Sequence, residues 1–387
     1  MPLEVAVVGG GIGGLATALS LQRIGCSVRL FEKVGVLADV GAAISLWPNA
    51  LAALGHLGLE DRIRSLGYFE ETGSIRSVDG SILASIDNTN VMVLRAHVQR
   101  TLAEALDEGT VTLGTRCTGV RSSPSQATVQ LANGVSVEAD LVVGADGIAS
   151  TVRRGLLPAE GAARYSGLTS CRGVLHAPGR VDGASLTVGE GRQFLLAPLP
   201  DGHVYWSPLI WLPEGALAAM RRPKDFLLQA FGDWCDPIPY VIEATPEPAY
   251  LRTDVHHRPP PKWLHRDRVV LVGDAAHPMT PDLGQGACQA IEDAVVLAAC
   301  FDAAGDDVGA ALALFAARRL TRVRRVVSEA RRVGRLLAAR GRLMDGVRAL
   351  SLRSVPRAYI DRRLSVINSR QALEDQVLPT PSRRRRV

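Results

Sequence analysis

Residues 4–9, EVAVVG, form an unbroken run of small and β-branched positions, the pattern of a strand buried on both faces of a parallel sheet. The next stretch, IGGLATALSLQRIG, predicts a helix, and SVRLFEK a second strand that ends at Glu32. Further on, VRSSPSQATVQLANGVSVEADLVV alternates apolar and polar positions around Asn133-Gly134, a hairpin signal. A β-meander is therefore expected before the chain returns to the parallel sheet at DLVVGA and turns at Asp146-Gly147. In RQFLLAPLPDGHVYWSPLIWL two strand-like runs are joined by Pro200-Asp201-Gly202, predicting a second hairpin. A third strand–turn–helix pattern spans 268–298, RVVLVGDAAHPMTPDLGQGACQAIEDAVVLA. From 308 the period is helical: Val323, Val327, Ala330, Val333 and Leu337 recur at three and four, with arginines expected on the opposite, solvated face. Helical signals fade beyond about 340, and LPTPSRRRRV is expected to be disordered.

These elements divide the chain into a discontinuous α/β domain (1–165 and 263–305), a second β-sheet domain (166–262), a C-terminal helix packed on the first domain (306–345), and short helices with an arginine-rich tail (346–387). At the first strand–helix junction Gly9, Gly11 and Gly14 spell G-x-G-x-x-G. The first glycine permits the tight turn, the second lets a pyrophosphate approach the backbone, and the third lets helix and strand pack closely. Phosphates would sit at the helix N-terminus, where free N–H groups and the macrodipole favour anions. Glu32, at the end of the second strand, is placed to accept hydrogen bonds from a ribose. This Rossmann-like unit specifies a dinucleotide without choosing among NAD, NADP and FAD.

Composition narrows the class. A hydrophobic fraction of 47% and a charged fraction of 21% are those of an ordinary globular protein. No run of 18 apolar residues occurs, so no membrane span is expected. Glu4 stands where a signal peptide would be basic, so a cytoplasmic location is the default. The six cysteines lie far apart without a C-x-x-C pair and the histidines lack metal-ligand spacing, so neither disulfides nor a metal are predicted. The net charge of +5 is uneven: from Arg318 onward there are 20 Arg, no Lys and 5 acidic residues. A basic tail ending SRRRR could touch nucleic acid or anionic lipid, but the segment reads better as a solvated helix face with a frayed end; aromatics are only 5% and no recognition motif occurs, so no nucleic acid is expected.

Three motifs in order, G-x-G-x-x-G at the N-terminus, G-A-D-G-x-x-S-x-V-R at 144–153 and G-D-A-A-H-P-x-x-P-x-x-G-Q-G at 273–286, carry a resemblance. Over residues 3 to 335 the chain resembles the single-component (class A) FAD-dependent aromatic monooxygenases, the p-hydroxybenzoate hydroxylase-like group. Its spacing is most similar to the salicylate hydroxylase, 3-hydroxybenzoate hydroxylase and zeaxanthin epoxidase branch. The resemblance implies an FAD-binding domain with an inserted meander and a second sheet roofing the substrate. It implies FAD contacts from Gly9, Gly11, Gly14, Glu32 and Arg95, and a flavin- and nicotinamide-associated role for Asp146 and Arg153. Asp274 would accept a hydrogen bond from the ribityl chain, and Pro281, Gly284, Gln285 and Gly286 would lie along the ring. His277 reads better as a capping or packing residue than as an acid–base group.

Strand alternation offers two candidate substrate faces: Leu195, Ala197, His203, Tyr205 and Ser207, with Pro281 nearby, or the set including Phe194 and Trp206. Arg172-Gly173 matches the family pattern, whereas Cys171, Ala43 and Cys288 depart from it; loss of an aromatic at 171 is expected to enlarge the pocket. The implied activity is NAD(P)H- and O2-dependent insertion of one oxygen into a phenolic, polycyclic aromatic or other electron-rich small molecule, through a flavin C4a-hydroperoxide. The nicotinamide would be a transient co-substrate, since no second G-x-G-x-x-G exists, and the protein a monomer or homodimer. No side chain is singled out as the catalytic base. The alternative is an FAD-dependent halogenase or reductase of the same lineage; against the halogenase, W-x-W-x-I-P is missing and Lys is scarce. A flavin-bearing interaction protein is a third reading, but the tail is too short to be a partner domain.

Overall fold

A computed structural model of the chain describes residues 2–37, 42–87 and 89–377. Its centre is a six-stranded sheet ordered His265–Arg266, Val269–Leu271, Leu141–Gly144, Glu4–Val8, Ser27–Phe31, Val111–Thr112, parallel except for its first, edge strand. In register, Val8 lies beside Gly144 and Phe31, and Gly144 beside Leu271. The three turns that follow these strands therefore leave the sheet at one edge, where open α/β sheets bind ligands. The helices Ile12–Arg23 (the first helix) and Gly286–Ala304 (the late helix) pack side by side on it, around a core that includes Leu15, Leu30, Val143, Val270 and Ile291. Gly14 makes the first junction possible: a Cβ there would stand 1.9 Å from the carbonyl oxygen of Gly9, itself at φ +110°.

The expected meander is present as Cys117–Ser122, Ala127–Leu131 and Ser136–Ala139, turning at Gly134 with φ 86°. A second sheet of seven strands runs Leu251–His257, Arg164–His176, His203–Trp211, Arg192–Pro198, Ser185–Gly189, Thr72–Arg76, Ile82–Asp87. The last two differ from the sequence division, which left residues 72–87 with the first domain. They pair Ser74 with Ser185 in parallel, a long-range contact that local alternation cannot announce. A small sheet of Ala43–Leu46, Val91–Leu94 and Tyr68–Phe69 lies between the two large ones.

The C-terminal part is more regular than its sequence suggests. After the long helix Val308–Leu337 come three more, Arg342–Ser354 (the outer helix), Arg357–Asn368 and Arg370–Val377. The tail expected to be disordered, 378–387, lies outside the described residues. The long helix is also not lined by solvated arginines alone: Arg319 is fully buried, because two acidic side chains of the late helix lie under it.

Candidate active site

A cavity of about 560 Å³ opens at the sheet edge, where the turns of the first and late units meet. Gly9, Gly11, Glu32, Arg95, Asp146, Asp274 and Gly286 line it, so the two strand–turn–helix patterns form one site. Gly13 and Gly273, one from each unit, both lie so close to Ala290 of the late helix that an added Cβ would approach its methyl to 3.1 Å. Glu32 is nearly buried and accepts from the N–H of Gly10 at 2.5 Å and of Val34 at 3.0 Å, which fixes it at the cavity wall with lone pairs left for a ligand hydroxyl. Arg95 opens the helix Arg95–Glu104 and projects its side chain into the cavity.

Asp146 both lines the cavity and accepts from the N–H groups of Thr151 at 2.6 Å and Val152 at 3.2 Å, capping the short helix Thr151–Leu156. Asp274 is enclosed by protein, yet its side chain is exposed because it projects into the cavity. Burial pushes its pKa up, with the His277 and Arg95 charges opposing.

The other expected residues stand behind or beside the cavity rather than on its wall. Gly14 is used up in the helix–strand contact. Arg153 donates to the carbonyls of Ala275 and Ala276, both at 2.8 Å, and pairs with Glu160; it braces the turn bearing Asp274. Pro281 is exposed and begins the turn Pro281–Leu283, and Gly284 follows at φ +60°. Gln285 is buried; its Oε1 accepts from Asn49 at 3.0 Å and Gln289 at 3.1 Å, while its Nε2 has no partner among the described residues.

Sequence reading missed Lys33, Ile44, Thr115 and Arg116 on the cavity wall. Thr115 and Arg116 follow a two-residue strand in no motif, so no local signal marks them. It also missed the buried ionic frame beneath the site. Glu292 and Asp293 of the late helix are held by Arg319, with Arg322 on Glu292 and His277 on Asp293 at 2.6 Å. Burial alone would raise the pKa of Asp293, but His277 and Arg319 outweigh it and hold the carboxyl at about 2. His277 is thus a buried hydrogen-bonding partner of Asp293 and does not line the cavity.

The structure also separates the two faces of the second sheet. Phe194 and Trp206 point away from the cavity and pack with Phe231, Leu227 and Ile238. Cys171 lies on that same far side, so its small size does not enlarge the cavity side of the sheet, contrary to the sequence expectation. Leu195, Ala197 and Tyr205 face the small sheet and cluster with Ala43, Met92 and Leu199; the neighbouring Ile44 reaches the cavity. A polar ladder crosses this face: Arg172 Nε lies 3.3 Å from Ser170 Oγ, and Ser170 Oγ 3.1 Å from Ser207 Oγ, which bonds the Tyr205 hydroxyl. Burial pushes the Tyr205 pKa up, with Arg172 and Ser207 opposing. His203 does not join this cluster; it sits at the hairpin end, its ring centroid 5.2 Å from that of His176. Gln193 Nε2 reaches Asp282 Oδ1 at 3.3 Å, tying the sheet to the Pro281–Gly286 turn.

The cavity fits a long dinucleotide: a Cβ at Gly11 or Gly286 would meet no atom within 4 Å, and the glycine turn, the helix N-terminus and a carboxylate face one space. A family model described as an FAD binding domain matches residues 2–175 and 252–330. The chain belongs to this family. It is similar to an aurachin C monooxygenase/isomerase of Stigmatella aurantiaca, 38% identical over 86% of this chain and 89% of that one. It is also similar to an FAD-dependent urate hydroxylase of Klebsiella pneumoniae, 34% identical over 85% and 89%. The crystal structure of Klebsiella pneumoniae HpxO with FAD and uric acid superposes with a TM-score of 0.87 at 30% identity, covering 94% of this chain and 96% of the other. A salicylate hydroxylase complex, at 23% identity and a TM-score of 0.81, shares the fold. The chain is an FAD-dependent monooxygenase, and its relatives give no support to the halogenase or reductase alternative.

Proposed function

We propose that FAD lies along the 560 Å³ cavity, with its adenosine and pyrophosphate end on the first unit and its ring end on the late one. Gly9 and Gly11 would admit the pyrophosphate to the N-terminus of the first helix, Glu32 would accept from the ribose, and Arg95 would offset phosphate charge. Asp274 would accept from a ribityl hydroxyl, while Pro281, Gly284, Gln285 and Gly286 would border the ring; Arg153 would act only by bracing Asp274. The N-terminus of the late helix would favour negative charge at the ring edge it faces. Bound FAD, reduced by NAD(P)H, supplies the O2 chemistry that the side chains cannot. The chain's own residues bind, orient and keep water away from the substrate.

The substrate reading is a phenolic, polycyclic aromatic or other electron-rich small molecule held against Leu195, Ala197 and Tyr205, with Ser207 and Arg172 as polar anchors. The uric acid in the similar structure favours a planar ring with polar edges. The first domain and the seven-stranded sheet would be the two working parts, in a cytoplasmic monomer or homodimer. The observation that carries the reading is the convergence of both units on one cavity beside this sheet face.

The test is to purify the yellow form and screen ring compounds for stimulated NAD(P)H oxidation. A product heavier by one oxygen supports the reading; a colourless protein unable to take up FAD overturns it. Asp274→Ala is expected to lower FAD affinity about ten- to a hundredfold with unchanged folding, since a lost hydrogen bond to a charged group weakens binding by about 1.5–3 kcal/mol. Unchanged FAD affinity would mean that the flavin lies elsewhere.

A further inference from the structure

Fourteen large hydrophobic side chains are exposed among the described residues, and seven of them fall within residues 336–366. Three, Leu343 (80% exposed), Val347 and Leu350 (69%), stand at i, i+4 and i+7 of the outer helix and form one stripe. This stripe is not the helix's packing face. Ala349 and Leu352 of the same helix pack against Leu83, Val188 and Leu337, and buried Arg348 donates to the carbonyl of Leu337 at 3.0 Å. The outer helix is therefore docked by one face and apolar on the other. Leu336, at the end of the long helix, is 58% exposed, and so is Ile82, next to the Ser81 that Arg353 reaches at 3.3 Å. A concentration of exposed apolar surface on this scale marks an interaction site.

The charge of the same region says what covers it. Residues 336–366 carry seven arginines against two acidic residues, Asp345 and Asp361. Arg335, Arg340, Arg353 and Arg362 are exposed and have no acidic partner among the described residues. Asp345, the acidic residue of the outer helix, is taken up by Arg348 and the N–H of Glu190. A leucine and valine stripe among unpaired arginines is the pattern of a helix lying in the headgroup layer of a negatively charged bilayer. A second copy of this chain would bring two such cationic surfaces together, and a nucleic acid would leave the apolar stripe without a partner.

We infer that the outer helix and its surround are a peripheral docking surface for a bilayer with anionic headgroups. No described helix is long and apolar enough to cross a membrane, so the contact is at the interface. This rests on the outer surface alone and stands or falls independently of the substrate.

The test uses the full FAD-loaded chain in flotation with vesicles of phosphatidylcholine alone or mixed with phosphatidylglycerol. Binding to the anionic vesicles is expected to exceed binding to neutral ones at least tenfold and to fall as salt rises. Leu343→Ser, Val347→Ser and Leu350→Ser together are expected to lower it at least tenfold, and Arg335→Gln with Arg362→Gln severalfold, both with unchanged FAD content and NAD(P)H oxidation. Equal binding to neutral vesicles, or full binding by the triple variant, overturns the inference. So does a dimer in light scattering that the triple variant dissolves without any vesicle binding by the parent. Binding of a duplex DNA probe in place of vesicles also overturns it.

Discussion

The first and late strand–turn–helix units share a sheet, a direction and a cavity, but they are built on opposite principles. The first turn is three residues of glycine, and the polar groups buried in its helix serve their own carbonyls: Thr17 bonds Gly13 and Ser20 bonds Ala16. What it offers a ligand is backbone N–H and a dipole. The late turn runs from Gly273 to Gln285 and offers side chains, above all Asp274, while its helix buries Glu292 and Asp293 against Arg319, Arg322 and His277. Backbone donors at a helix end are fixed by the helix itself. Side-chain acceptors need an external frame, and the buried ions supply one that reaches to Gln376 in the last helix through Arg319.

The sharpest way to break this contrast is Arg319→Leu. It leaves two buried carboxylates short of a cation, and removing one partner of a buried pair costs about 3–5 kcal/mol. Denaturant unfolding of the apoprotein is expected to show that loss, and adding Glu292→Gln and Asp293→Asn to recover part of it. A loss below about 1 kcal/mol would mean that the frame is hydrated and contributes little rigidity.

What could be read in advance follows the same division. Gly9 and Gly14 were legible because close backbone approach excludes any side chain, so the spacing itself records the geometry, whereas the protein leaves room for one at Gly11. The Asn133-Gly134 and Pro200–Gly202 turns were legible for the same local reason. The face of the second sheet was not, because alternation marks two faces without saying which one meets the first domain. Nor was the frame: Arg319 sits in an arginine-rich helical period that reads as solvent-facing, and only its packing on Glu292 and Asp293 buries it. Thr72–Arg76 and Ile82–Asp87 joined the second sheet through a parallel pairing with Ser185–Gly189 that is remote in sequence.

Within the first unit two glycines separate architecture from binding. In Gly14→Ala the new methyl would lie 1.9 Å from the Gly9 carbonyl oxygen, and overpacking of this kind costs about 1–3 kcal/mol. In Gly11→Ala the methyl meets no protein atom within 4 Å, so apoprotein stability is expected to hold within about 0.5 kcal/mol while FAD affinity falls. Thermal melts with and without added FAD distinguish the two. Equal FAD affinity in Gly11→Ala and the parent would remove the pyrophosphate from the first turn.

A further effect concerns acid and belongs to the late unit. Asp293 is held at about 2, below the unfolded value near 3.9, so the folded state binds fewer protons across that interval. Its contribution is therefore fully present above about pH 4 and is lost as pH falls toward 2, on the order of 2 kcal/mol across the window. Glu292 is shifted downward as well: its burial is outweighed by Arg319 and Arg322, which gives it the same sign. Comparing the parent with Asp293→Asn by urea unfolding at pH 5, 4 and 3 isolates this term from the other carboxylates. The gap between the two proteins is expected to narrow with acid; a gap that stays constant would show that Asp293 enters the fold protonated, and that the late helix is held by packing rather than by its buried charges.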